Sequence, residues 1–184
     1  MLLFFYTANL CAIPFWVWLS ERIGKHRAYI GSFGIIAFAH PFYLLLGEGD
    51  FWWMLPITLT TGFAAGGFAA IPNSMKADVI DYDHLQSGEN RAGVFFSTWS
   101  FTYKLAASFG TWFALAGLGW FSFNPSPEMV NTPEQLFGLR FFFALAPSLF
   151  YLGACIVIWK YPITREKHAE VRAELDRIGA AAAT

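Results

Sequence analysis

Phe51-Trp-Trp-Met-Leu-Pro-Ile-Thr-Leu-Thr-Thr-Gly-Phe-Ala-Ala-Gly-Gly-Phe-Ala-Ala-Ile-Pro-Asn-Ser-Met75 contains no Asp, Glu, Lys or Arg. A bilayer core of about 30 Å takes about 20 helical residues, so this one stretch is long enough to cross a membrane. The same pattern repeats on both sides of it. Met1 to Ser20, Ala28 to Gly47 and Phe141 to Trp159 carry no charge, and Ala92 to Pro127 carries one, Lys104. Helices packed in water keep a polar face and have no use for such blanks. The reading is an all-α membrane protein with five transmembrane helices, over about 1–20, 28–47, 51–75, 92–120 and 141–160. These make a bundle over 1–161, followed by a cytoplasmic tail over 162–184 with a short amphipathic helix.

Composition supports this class. The 184 residues are 56% hydrophobic and 14% charged, a balance that excludes a disordered chain. A net charge of −1 offers no basic field to nucleic acid. Cys11 and Cys155 both lie in apolar runs, where a thiol behaves as a small hydrophobe. The first blank lacks the basic residues that precede the apolar core of a signal peptide, so it reads as a span.

The charged islands set the orientation. Arg22, Lys25 and Arg27 follow the first span, Lys76 and Arg91 flank the third loop, and Lys160, Arg165, Lys167, Arg172 and Arg177 lie in the tail. The second loop, Glu48–Asp50, has no base and the fourth has only Arg140. Positive charge on alternate loops predicts a protein of the cell (inner) membrane with its carboxy terminus in the cytoplasm. The first helix then starts on the outer side at Met1 with no polar segment before it. That predicts a fragment or truncated product lacking a preceding helix.

Lys104 sits about twelve residues into the fourth span, roughly 18 Å deep. An ammonium there costs about 2.5–3.5 kcal/mol, so it should face a cavity or a carboxylate. Ser97, Ser100, Lys104, Ser108 and Thr111 recur at helical spacing as one polar stripe, with Phe101, Leu105, Phe109 and Trp112 away from it. Such a stripe lines a water-filled path or a polar helix interface. Between the third and fourth spans, the loop Lys76 to Arg91 gathers Asp78, Asp81, Asp83, His84 and Glu89. Asp78 and Asp81, three apart, can bind Mg²⁺ or pair with basic residues. The Mg²⁺ reading gives an intramembrane transferase acting on a diphosphate, for which a second acidic cluster is needed and not found. Charge pairing at the cytoplasmic mouth is preferred.

Gly62 and Gly66, with Ala65, Ala69 and Ala70 nearby, form a small-residue surface for close helix approach. Pro14, Pro41, Pro56, Pro72 and Pro147 are expected to kink their spans. His40 is a candidate proton relay, though a hydrogen bond to a neighbouring helix is the preferred role. Val171, Leu175 and Ile178 line one side of the tail helix, which is expected to lie on the membrane surface. No Walker loop, nucleophile elbow, zinc spacing or dinucleotide fingerprint occurs, so the chain reads as no enzyme and needs no resident cofactor.

With these features in view, the chain resembles the carboxy-terminal half of a major facilitator superfamily transporter, helices eight to twelve. More narrowly, it resembles the glycoside–pentoside–hexuronide:cation symporters, the melibiose-permease-like group. Pro14-Phe-Trp-Val-Trp-Leu-Ser-Glu-Arg-Ile-Gly-Lys25, Ala77-Asp-Val-Ile-Asp-Tyr-Asp83, Ser87-Gly-Glu-Asn-Arg91, Phe95-Phe96 through Lys104-Leu105, and Tyr161-Pro-Ile-Thr-Arg-Glu-Lys-His168 carry the resemblance. It implies secondary transport of a sugar or glycoside by cation symport through alternating access. Lys104 and Ser100, with Ser97 and Ser108 on the same stripe, would stand at the substrate and cation sites. Asp78, Asp81 and Arg91 would form the cytoplasmic gate. Where the family often has a basic pair and a Glu after the loop glycine, this chain reads Asn90-Arg91-Ala92-Gly93. The acidic residues that bind the coupling ion belong to the family's amino-terminal half, so Na⁺ and H⁺ both remain open. The implied partners are a small-molecule substrate, the lipid bilayer and the missing amino-terminal helical half. A lipid-like substrate, and a non-transporting membrane partner associating through the Gly62 surface, stand as alternatives.

Overall fold

The computed structural model describes residues 1–47, 49–126 and 128–182; Glu48 of the second loop, Pro127 and the last two tail residues lie outside the described residues. The described residues form helices and no strand. Helix α1 (Leu2–Ile23) ends at Gly24, whose φ of 95° turns the chain directly into α2 (Lys25–Ala39). Pro41 tightens the next turns into a 3-10 segment, His40–Leu45. His40 Nδ1 lies 3.2 Å from the Ile36 carbonyl of its own helix, so the expected partner on a neighbouring helix is not the one it takes.

Helix α3 (Phe51–Ser87) has 37 residues, about 56 Å at 1.5 Å per residue, well beyond a bilayer core. The stretch from Lys76 to Ser87, read from its charges as a loop, is instead the end of this helix. Nothing between Pro72 and Gly88 breaks a helix, and Gly88 stops it with a left-handed φ of 71°. Helix α4 (Ala92–Trp120) follows. Helix α5 (Pro133–Arg140) starts with a capping box between Thr132 and Gln135, passes through a π turn at Phe141–Leu145 and continues as α6 (Ala146–Trp159). The π turn stands just before Pro147, which has no N–H to continue the α ladder. The tail is α7 (Arg165–Ala182).

Among the described residues, four helical stretches are long and apolar enough to cross a membrane: Leu2–Ile23, Lys25–Leu45, Phe51–Ser87 and Pro133–Trp159. Helix α4, the fifth expected span, is long enough at 29 residues. It differs from those four in carrying the Ser/Thr stripe and Lys104 along its length.

The bundle is centred on α3. A Cβ added at Gly66 would lie 2.9 Å from both the Ala12 Cβ and the Asn9 carbonyl, and one at Gly62 would meet the Phe5 carbonyl. The small-residue spacing thus lets α1 lie against α3 at backbone distance. On the adjoining face, Gly67 makes room for Trp16 and Ser32. Trp16 Nε1 donates to the Phe63 carbonyl at 2.7 Å and Ser32 Oγ to the Ala64 carbonyl at 2.8 Å. Trp16, Tyr29, Phe33 and Ile71 form the buried core, with Tyr151, Ala154 and Ile158 of α6 packed against it. Helix α4 stands apart. Gly117, covered by the Phe142 ring, is its one buried position among the described residues.

Candidate functional site

At the charged end of α3, Asp78 is only 4% exposed. A buried carboxylate needs a cation and hydrogen-bond donors. Lys25, the first residue of α2, provides them: its Nζ donates to both Asp78 oxygens at 2.7 Å. The tight turn at Gly24 is what brings Lys25 to α3. His168 of α7 adds a second contact, with Nε2 3.2 Å from Asp78 and 3.3 Å from Asp81. Arg172, one turn later, stands 3.4 Å from Asp81. Two carboxylates three residues apart therefore share one histidine, as a single helix face requires.

The tail is fixed to the bundle by more than charge. Arg165 Nη1 donates to the Glu21 carbonyl at 2.6 Å, and Val171 and Ile163 are buried. The tail helix therefore packs on the end of α3. Tyr161, just before it, donates to the Met75 carbonyl at 3.4 Å. Burial, and secondarily the Asp78 charge, push its phenol up to about 12. Between these elements lies a cavity of about 250 Å³ lined by Ser20, Glu21, Lys25, Asp78, Arg165 and His168 among others.

Arg91, expected in the same network, is elsewhere. It forms a two-point pair with Asp83, at 2.6 and 3.0 Å, which ties the start of α4 to the end of α3. Sequence reasoning grouped Lys25 and Arg172 as cytoplasmic bases, and met His168 only within the tail stretch Tyr161–His168, without assigning any of them to Asp78 and Asp81. The signal available was the burial demand of Asp78, which requires some base from outside its own helix.

Ser97, Ser100, Lys104 and Ser108 do lie along one line of α4, and all four are exposed. Ser97 Oγ bonds its own helix at the Val94 carbonyl, and Lys104 meets no carboxylate among the described residues. The polar stripe and the Asp78–Asp81 cluster are thus on different helices and do not touch in this structure.

The MFS/sugar transport protein family matches residues 1–165. The chain belongs to that family. It is 29% identical over 167 residues to a glucuronide carrier protein homolog of Escherichia coli, covering 84% of this chain and 34% of the relative. It is 28% identical over 162 residues to the uncharacterized symporter YjmB of Bacillus subtilis, covering 85% and 34%. It is 29% identical over 172 residues to the sodium-dependent lysophosphatidylcholine symporter 1 of Mus musculus, covering 90% and 31%. The chain thus spans about a third of the length of the curated relatives it matches. Membership of a transporter family decides against the enzyme reading of Asp78 and Asp81 as a Mg²⁺-dependent transferase site.

Proposed function

We propose that this chain supplies one wall and one gate of a secondary transporter that moves a sugar or glycoside by cation symport. The observation that carries this reading is the buried Asp78, clamped by Lys25 and His168 at the end of a helix whose other end is apolar. Charges that pair this tightly hold a gate shut until substrate or ion binding offsets them, and two helical bundles then rock about a site near the midplane. Helix α4 would be the fifth span, with Lys104, Ser100, Ser97 and Ser108 facing the pathway. Its exposed surface suits a helix contributed by the missing amino-terminal half. The charged end, with the tail, faces the cytoplasm of the cell membrane in this reading, following the basic residues. Na⁺ and H⁺ are both open as the coupling ion.

Uptake decides it. Cells producing the assembled transporter should accumulate a glucuronide or other glycoside down a cation gradient, and Lys104→Ala should abolish uptake at unchanged expression. Uptake unaffected by Lys104→Ala would remove Lys104 from the site. Vesicles holding this chain alone should show no uptake, and uptake there would overturn the one-wall reading. A lipid-like substrate is the second reading, favoured by the name of the mouse relative. Transport of a lysophospholipid with none of a glycoside would establish it.

A further inference from the structure

Lys76 of α3 belongs neither to the gate nor to the α4 stripe. Its ammonium stands 4.7 Å from the centre of the Trp99 ring and 5.5 Å from that of Phe96, both on α4. It is half-buried, and no carboxylate among the described residues pairs with it, since Asp78 is turned to Lys25 and His168. Beneath it opens a cleft of about 600 Å³ between α2, α3, α4 and α6. Phe33, Val79, Phe95 and Ile158 make its walls almost wholly apolar, with the Tyr161 side chain at one end. The Tyr161 hydroxyl is already engaged with the Met75 carbonyl.

A cation at the mouth of an apolar cleft complements one kind of molecule, an apolar chain ending in a negative charge. Tyr29, Thr98 and Thr102 put hydroxyls in the lining, but the wall area is overwhelmingly apolar and suits a hydrocarbon chain better than a sugar. The volume falls within the range of small-molecule sites, which are mainly apolar with a few fixed polar groups. The position matters as well. The cleft lies at the charged end of the bundle, where helix ends meet the headgroup layer, and basic pockets between membrane helices at that level hold anionic headgroups. Cation–π contact with Trp99 holds the ammonium at the cleft mouth while leaving its charge uncompensated.

We propose that this cleft binds an anionic phospholipid of the adjoining leaflet, with an acyl chain against Phe33, Phe95 and Ile158 and the phosphate on Lys76. The occupant is a resident lipid, separate from whatever is transported, and it joins α4 to a bundle that otherwise holds it by few contacts. Binding would therefore steady the helix that carries Lys104.

The test reconstitutes the purified chain in vesicles containing brominated phosphatidylglycerol or brominated phosphatidylcholine at equal mole fraction and reads quenching of tryptophan fluorescence. The anionic lipid should quench more strongly, and Trp99→Phe should remove that excess. Lys76→Gln should reduce the preference about fivefold, Lys76→Arg should retain it, and Lys160→Gln should leave it unchanged. Unchanged helix content by circular dichroism excludes misfolding as the cause. Equal quenching by the two lipids would overturn the proposal, and so would an excess that survives Lys76→Gln. Quenching by both lipids that Trp99→Phe leaves unchanged, as expected were a second copy of the chain to cover the cleft, would overturn it too.

Discussion

Replacing Lys25 with Met removes the cation from a carboxylate that water hardly reaches. At a separation of about 3 Å and an effective dielectric of about 20, the Lys25–Asp78 attraction is roughly 5–6 kcal/mol. Burial of Asp78 offsets part of it, and the Lys25 side chain, 28% exposed, is partly screened. Removing one partner of a buried pair costs about 3–5 kcal/mol when the other is left uncompensated. Here His168, 3.2 Å away, retains part of the compensation. The expected loss is therefore about 2–3 kcal/mol, below the usual range for a stranded charge. Asp78→Asn removes the stranded charge, so the double variant should recover to within about 1 kcal/mol of the wild type. Reversible unfolding of the four proteins in detergent, followed by circular dichroism, gives the coupling energy directly. A coupling below about 0.5 kcal/mol, the level of independent sites, would refute the claim that Lys25 neutralises Asp78.

Gly66→Leu places a side chain where even a Cβ lies 2.9 Å from α1, so it should destabilise the chain by about 1–3 kcal/mol and weaken the α1–α3 contact; unchanged thermal unfolding would mean that the two helices are not closely apposed. His168→Ala removes the contact shared by Asp78 and Asp81 and should speed proteolytic release of the tail, with no change in release counting against the docked α7. Tyr161 titrates at about 12 in the fold against an ordinary value of about 10, so its protonated form is favoured by folding. Its contribution to stability is complete below pH of about 10 and is lost as pH rises through about 12. Phenolate absorbance at a pH between these values should therefore be the same in wild type and Tyr161→Phe, and a weaker signal in the variant would contradict the burial of this hydroxyl.

Local spacing was enough to read some of this architecture. The uncharged stretches marked the membrane-crossing helices, and Gly62 and Gly66 marked the α1 contact, because both features repeat with the helix itself. Asp78 and Asp81 were legible as a pair for the same reason. Their partners were not, since Lys25 and His168 arrive from residues far away in sequence through the Gly24 turn and the docked tail. Charge density concealed the continuation of α3 beyond Lys76: acidic residues suggested a loop, while the absence of any helix breaker before Gly88 governed the backbone. Arg91 was within reach of several carboxylates in sequence, and the two-point geometry with Asp83 was not decided by composition. The π turn before Pro147 left no pattern that a count of apolar residues detects.

The claim that the α4 stripe lines an aqueous pathway closed by the α3 gate is tested most directly by thiol accessibility. In the assembled transporter, with Cys11 and Cys155 replaced by Ser, single cysteines would be placed at Ser97, Ser100 and Ser108 on the stripe, and at Leu105 and Phe109 away from it. A hydrophilic, membrane-impermeant thiol reagent should label the three stripe positions and leave the two apolar ones unlabelled, with substrate protecting Ser100→Cys. Equal labelling of both sets, or labelling of Leu105→Cys and Phe109→Cys alone, would contradict the account.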